Sequence, residues 1–429
     1  MTTRWDIPLL YTGEDAEKQA LSDASVVVEN GVITYVGLAS EAPDCDDIRR
    51  EPHTLMMPAL YNAHTHLAMT MLRGAGNDLN LHDWLFDAIF PREEKLTRKH
   101  IAVATRLALM ECLRFGVVGV ADMYFEMDEV ARAVLEAGMR ASLCRGLNGT
   151  DINEFKQKIA DNEAFFHEFN GAEGRITVPV GLHAEYTTTP EMLRLGAESA
   201  AKLGTGTHIH CSETRAEHEA CIERHGMTPT MVFDRAGLLD LPQPALLAHG
   251  VHMTAADLEY AAWKRAFIAH CPASNLKLGS GVFLSDAALS RGLRVAMGTD
   301  GAASNNRLDI LAEMRLAALL AKGPGDPSRV PAHTAIAMAT RNAAAACGVP
   351  EAGSIRVGAP ADFILLDLSA PHAHPVRDAA GHIAYAADGL DVLTTVCAGR
   401  VLYHRGEYMT LDAGRITAEF DACWRDLDA

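Results

Sequence analysis

Met56-Met-Pro-Ala-Leu-Tyr-Asn-Ala-His-Thr-His66 is an apolar run that ends in two histidines one residue apart. A short apolar run of this kind predicts a buried strand, Met56–Ala63, with ionisable side chains delivered at its C-terminal end. Seven more short apolar runs follow: Val117–Met123, Arg140–Leu147, Ile176–His183, Gly206–His210, Ala245–His249, Ala266–His270 and Arg294–Gly298. Segments with helical periodicity separate most of them. Thr97–Phe115 is stopped by Gly116, Glu126–Ala137 is stopped by Gly138, and Asp309–Leu320 follows the eighth strand. Eight strands alternating with helices over about 290 residues predict an α/β fold, a (β/α)8 TIM-type barrel. A doubly wound open sheet would need a Gly-rich phosphate fingerprint after its first strand, and none follows Ala63.

The two ends of the chain read differently. In Ser25–Gly37, two β-branched runs flank Asn30-Gly31, the dipeptide of a tight hairpin. Ala361–Leu368 and Leu393–His404 are also strand-like. Together they predict a small β-sandwich domain built from both termini, residues 1–57 plus 349–429, beside a barrel over 58–348. The first strand–helix connection, Leu67 to Leu96, is long and carries Met69, Met71, Trp84, Phe86 and Phe90. A loop of that length in a compact domain is expected to be a functional lid.

Composition excludes several classes. With 48% hydrophobic residues among 429, the chain fills a core and is not a disordered segment. A formal charge of −18 speaks against a nucleic-acid partner and against an anionic membrane surface. The first residues carry no apolar signal region, and Ile101–Ala121 is interrupted by Arg106, Glu111 and Arg114, so no membrane segment is expected. Nine scattered cysteines without a Cys-x-x-Cys pair predict reduced thiols in a cytoplasmic protein. This composition is compatible with a homo-oligomer and does not call for one.

Ionisable residues end strands one, four, five, six and eight: His64 and His66, His183, His210 with Glu213 just after it, His249, and Asp300. Barrel active sites are built at that rim. The period of two sends His64 and His66 to the same side. Among 19 histidines one His-x-His spacing means little; its weight comes from His210 and Asp300. Three imidazoles and one carboxylate, with room for water, predict a centre for one divalent ion, Zn²⁺ first and Fe²⁺ as the alternative. His210 is preferred over His208 because Glu213 follows it by three residues; His208 is expected to be a buried, hydrogen-bonded layer residue. No Lys lies in Ile176–His183 to bridge a second metal, and the His-x-Glu…Pro-Cys-x-x-Cys pattern of the other zinc deaminase fold is missing. A divalent ion brings the pKa of water towards neutrality. Asp300 and Glu213 then suit proton transfer, and His249 suits orienting the attacking oxygen.

These residues resemble the amidohydrolase superfamily, and within it the 5'-methylthioadenosine/S-adenosylhomocysteine deaminases. The resemblance rests on Asn62-Ala-His-Thr-His-Leu-Ala-Met-Thr-Met-Leu-Arg-Gly74, Asp83-Trp-Leu85, His208-Ile-His-Cys-Ser-Glu-Thr214 and Ala248-His-Gly-Val-His252. It continues in Ala269-His-Cys-Pro-Ala-Ser-Asn275, Gly298-Thr-Asp-Gly301 and Gly353-Ser-Ile-Arg-Val-Gly-Ala-Pro-Ala-Asp362. It implies that His64, His66, His210 and Asp300 are the metal ligands. It also implies that Glu93 grips the ribose hydroxyls, Arg145 faces the 5' substituent, His183 contacts the purine and Glu213 its ring nitrogen. The implied reaction is hydrolytic deamination of a 5'-substituted adenosine to the inosine derivative and ammonia. Trp84 and the lid methionines could pack on a thioether or a base, or be core. Arg145 could instead sit in an ion pair at the rim. Lys156 and Lys158 are the further cations after strand three, and His252 and His270 are expected to be structural. Two alternatives stand: a superfamily hydrolase acting on guanine, a pterin or a triazine, and a non-catalytic assembly protein, which would be expected to lack some of the four ligands.

Overall fold

Asn30 and Gly31 both take positive φ, 49° and 80°, and turn the chain between the antiparallel strands Ala20–Glu29 and Val32–Leu38. The computed structural model describes residues 2–14, 20–323 and 325–428; residues 1, 15–19 and 429 of the predicted terminal domain lie outside it. On the far side of Ala20–Glu29 lies Thr2–Tyr11, which pairs in parallel with Thr54–Pro58. The sheet continues into C-terminal strands Phe363–Asp367, Val392–Cys397, Arg400–His404 and Glu407–Tyr408. It has its own core of Trp5, Ile7, Leu10, Val26, Phe363 and Leu365, with Trp5 edge-on to Phe363 at 5.3 Å. The small sandwich domain is thus built from both termini.

The run predicted as one strand over Met56–Ala63 is two. Thr54–Pro58 belongs to the terminal sheet and pairs with Phe363–Asp367, whereas Leu60–Thr65 opens the barrel. Pro58 has no N–H to continue a ladder, so the chain changes sheets there; Ala59 N still donates to Asp362 O at 3.1 Å.

Seven further parallel strands complete the barrel: Val117–Tyr124, Arg140–Arg145, Ile176–Thr177 resuming as Val180–Leu182, Thr207–Cys211, Leu246–His249, Phe267–His270 and Arg294–Met297. The fourth is broken at Pro179, and Val178 N bonds the Asn170 side chain instead of a neighbour. The ring closes between strands eight and one, where Asp300 N donates to His64 O at 2.9 Å. Gly298 permits that approach: a Cβ there would lie 3.0 Å from both His64 N and His64 O.

The helices start and stop where local chemistry dictates. Arg98–Arg114 is capped by Thr97, Met127–Ala137 ends at Gly138 with φ 83°, and Ile310–Lys322 starts from the Asp309 carboxylate. Arg98–Arg114 buries Ile101, Leu109 and Leu113 completely, each contributing about 1.5–3 kcal/mol of apolar burial.

Two segments differ from the sequence expectation. Ala413–Asp428, inside the terminal stretch expected to be all β, is a helix that packs against Arg98–Arg114, with Arg415 reaching Glu136 at 3.6 Å. The connection from Leu67 to Leu96 is wound into short helical turns at Leu67–Leu72, Leu81–Asp83, Trp84–Ile89 and Phe90–Glu93. Burial of Met69, Met71, Trp84 and Ile89 ties it down over the barrel mouth. Among the described residues no helix is long and apolar enough to cross a membrane.

Candidate active site

The first strand delivers His64 and His66, with ring centroids 4.9 Å apart, and the fifth delivers His210, 4.9 Å from His64 and 5.5 Å from His66. The eighth brings Asp300, whose Oδ1 lies 3.5 Å from His64 Nε2 and 3.2 Å from His66 Nε2. Those separations match two ligands about 2.0–2.2 Å from one common ion. His64 Nε2 is buried without a hydrogen-bond partner, an expense the fold sustains only if something else occupies that point. The donor set therefore fits a single divalent cation.

The outer nitrogens of the three rings are fixed. His66 Nδ1 meets Met123 O at 2.5 Å, His210 Nδ1 meets His183 O at 2.6 Å, and His64 Nδ1 meets His208 Nε2 at 2.9 Å. With those nitrogens engaged, each Nε2 turns to the common centre. Asp300 is oriented in the same way, because Ser274 Oγ and Ser304 Oγ donate to its Oδ2 at 2.6 and 2.7 Å and leave Oδ1 facing inward.

Three residues at these strand ends are in the left-handed region without being glycine: Ser212 at φ 49°, His249 at 71° and Asp300 at 62°. Each costs of order 1–3 kcal/mol. The turn lets the chain leave the strand while the side chains of His249 and Asp300 stay over the barrel axis.

Burial sets the protonation pattern. It drives His64 down to about 3 and His210 well below the ordinary imidazole range, which leaves both neutral and able to donate a lone pair. On His66 burial is outweighed by the Asp300 carboxylate, and the ring rises to about 9. Burial would raise Asp300, but the His64 and His66 rings beside it hold it well below the usual carboxylate range. Glu213 is raised by burial. Its Oε2 lies 3.6 Å from His249 Nε2, and its Oε1 accepts from Ser280 Oγ at 3.3 Å. His249 Nδ1 in turn meets Asn275 Oδ1 at 2.9 Å.

A pocket of about 40 Å³ is walled by Leu81, Trp84, Tyr186, His249 and Asp300. His66 and His183 are shared with an adjoining cavity of about 250 Å³ that holds Glu93, Tyr124, Arg145, Lys158 and Asp161. Trp84 Nε1 and Arg145 Nε are buried without partners. Glu93, raised by burial, accepts a hydrogen bond from the Tyr124 hydroxyl. His183 is lowered to about 4 by burial and pairs with Thr187 Oγ1 at 2.9 Å.

Arg145 makes no ion pair among the described residues; its guanidinium lies 5.9 Å from the Phe165 ring. Lys158 reaches the cavity wall and donates to Asn148 O at 2.8 Å, whereas Lys156 is exposed on the same helix, Ile152–Phe169. His252 bonds Ser280 O at 2.7 Å and His270 packs on Phe283, both outside the cluster. Asn275, Ser274, Ser304 and Tyr124 are absent from the sequence-level site. The first two lie in the quoted Ala269–Asn275 motif; Ser304 and Tyr124 carry no spacing signal. Glu217, which accepts from the backbone N–H of Ser212 and Glu213, is announced only by the Thr214-x-x-Glu217 capping box.

Residues 55–402 match the amidohydrolase family. A 5-methylthioadenosine/S-adenosylhomocysteine deaminase of Moorella thermoacetica is 47% identical over 400 residues, 92% of this chain and 93% of the relative. The crystal structure of an adenosine deaminase from Xanthomonas campestris with bound zinc superposes with a TM-score of 0.92 at 31% identity, covering 99% of this chain and 98% of that one. An atrazine chlorohydrolase from Arthrobacter aurescens complexed with zinc has a TM-score of 0.90 at 24% identity over 98% of this chain and all of that one, a likeness of fold alone. Histidines and an aspartate gathered at the C-terminal rim, a sandwich made by both termini and a match running from Leu55 to Leu402 lead to one placement: the chain belongs to the amidohydrolase family.

Proposed function

We propose that this protein deaminates a 5'-substituted adenosine, 5'-methylthioadenosine or S-adenosylhomocysteine, to the corresponding inosine derivative and ammonia. The observation that carries this reading is that the two cavities share His66 and His183 as a common wall. A base seated beside Glu213 and Asp300 places its ribose towards Glu93 and its 5' substituent towards Arg145. The relatives whose names specify that activity support it.

His64, His66, His210 and Asp300 would hold one divalent ion, zinc as in the similar crystal structures. Such an ion supplies Lewis acidity that makes hydroxide accessible near neutral pH. Asp300 takes the proton from water, and His249, its Nδ1–H tied to Asn275, directs the oxygen through Nε2. Glu213, raised by burial, donates a proton to the purine ring nitrogen beside C6. Attack at C6 gives a tetrahedral centre, and ammonia leaves with a proton passed on by the two carboxylates. Trp84 Nε1 and His183 offer hydrogen-bonding groups to the base, and the Glu93 carboxylate can accept from the two ribose hydroxyls. An Arg145 guanidinium without an ion-pair partner among the described residues suits a carboxylate on the 5' substituent. Free cysteines fit a cytoplasmic setting.

The test is ammonia release by the purified, zinc-loaded protein from methylthioadenosine, S-adenosylhomocysteine, adenosine and 5'-deoxyadenosine. Turnover of the 5'-substituted nucleosides is expected; silence on all four contradicts the proposal.

A further inference from the structure

Behind His64 the barrel interior holds a line of groups that the proposed chemistry does not use. His64 Nδ1 lies 2.9 Å from His208 Nε2, His208 Nδ1 lies 3.7 Å from Cys144 Sγ, and Cys144 Sγ lies 3.8 Å from Asp122 O. The line crosses from the first strand to the fifth, third and second, and His64, His208 and Cys144 are each fully buried.

The polarity of the line follows from one end. If His64 offers its Nε2 lone pair to a cation, its proton is on Nδ1 and is donated to His208. His208 must then receive on Nε2 and carry its own proton on Nδ1, which faces the Cys144 sulfur. The thiol hydrogen is left to point at Asp122 O. Every donor faces away from the centre, and every member is neutral. The opposite tautomer of His208 would set two N–H groups against each other at 2.9 Å between two fully buried rings.

We propose that His208, backed by Cys144, is a positioning residue that fixes the tautomer and orientation of His64 and thereby the retention of the metal. This rests on His64 being a ligand. Metal ligands whose outer hydrogen-bond partner is removed typically lose about 10–100-fold in metal affinity.

The experiment follows zinc transfer from the loaded full-length protein to excess chromophoric chelator, with circular dichroism to verify folding. His208→Leu removes the acceptor and is expected to lose zinc about 10–100-fold faster. His208→Gln, whose amide oxygen can accept from Nδ1, is expected to stay near the wild type, and Cys144→Ala to fall between them. A folded H208L that holds zinc like the wild type overturns the proposal, as does an H208Q that loses it as fast as H208L. Wild-type protein that binds no zinc would instead remove the ligand reading itself. Should H208L not fold, ¹⁵N-histidine spectra of the zinc-loaded wild type decide the question. His208, assigned by its loss in H208Q, is expected as the Nδ1–H tautomer, and the Nε2–H tautomer overturns the proposal.

Discussion

His249 and Asn275 are joined by a hydrogen bond of 2.9 Å between Nδ1 and Oδ1, and this bond faces the His249 Nε2 lone pair towards Glu213, 3.6 Å away. The side-chain amide thus assigns a direction to the imidazole, as a carboxylate does in other catalytic pairs. Replacing Asn275 by Leu leaves the ring free to change tautomer. We expect kcat to fall about 10–100-fold with zinc content unchanged, since positioned acid–base groups contribute about 10²–10⁴. Unaltered kcat in a zinc-replete variant would remove His249 orientation from the account.

Glu213 sits at the other end of that contact, buried and raised. Glu213→Gln keeps the shape but cannot transfer a proton. Steady-state kinetics should show kcat reduced about 10²–10⁴-fold, with substrate still binding to the variant by calorimetry. A loss of binding with normal turnover would assign Glu213 to recognition instead.

Glu93 and the Tyr124 hydroxyl form the polar wall of the larger cavity. If that carboxylate grips the ribose, Glu93→Ala and removal of the 2' and 3' hydroxyls from the substrate must be non-additive. Each alone should lower kcat/KM by about 10²-fold or more, because buried groups left unpaired are costly. Applied together they should cost little beyond either one. Additive losses would place the ribose elsewhere.

Glu313 gives a test through stability rather than turnover. It is 2% exposed, accepts from Ala273 N and Asn305 Nδ2, and is pushed by burial from 4.5 up to about 8. A carboxyl raised on folding contributes stability that is complete below 4.5 and is lost as pH rises through 8. Between those values the metal-stripped protein should lose about 1.4 kcal/mol per pH unit from this group. Urea unfolding of Glu313→Gln across pH 5–8 should show a flatter dependence than the wild type; identical slopes would contradict the assignment.

The barrel is legible in the sequence because most of its apolar strands end in ionisable residues, a contrast that survives without knowledge of neighbours. The break inside Met56–Ala63 is harder to see, since Met56, Met57, Leu60 and Tyr61 are all fully buried, on either side of the passage from one sheet to the other. Only Pro58 marks it. Ala413–Asp428 escapes because its apolar residues matter for packing on another helix, a tertiary fact. In the site, His64, His66, His210 and Asp300 stand out by residue type and strand position. Ser274, Ser304 and Asn275 do not, because neutral hydroxyls and amides are common everywhere and acquire meaning only from the 2.6–2.9 Å contacts they make.

Anomalous diffraction at the zinc edge from crystals of active, zinc-loaded protein decides whether His64, His66, His210 and Asp300 hold one ion. The expected map has one strong peak per chain, about 2.0–2.2 Å from His64 Nε2, His66 Nε2, His210 Nε2 and Asp300 Oδ1. A fully active protein with no peak there, or with its zinc only between Glu185, Cys221 and His225, the remaining group of close donors among the described residues, would contradict it.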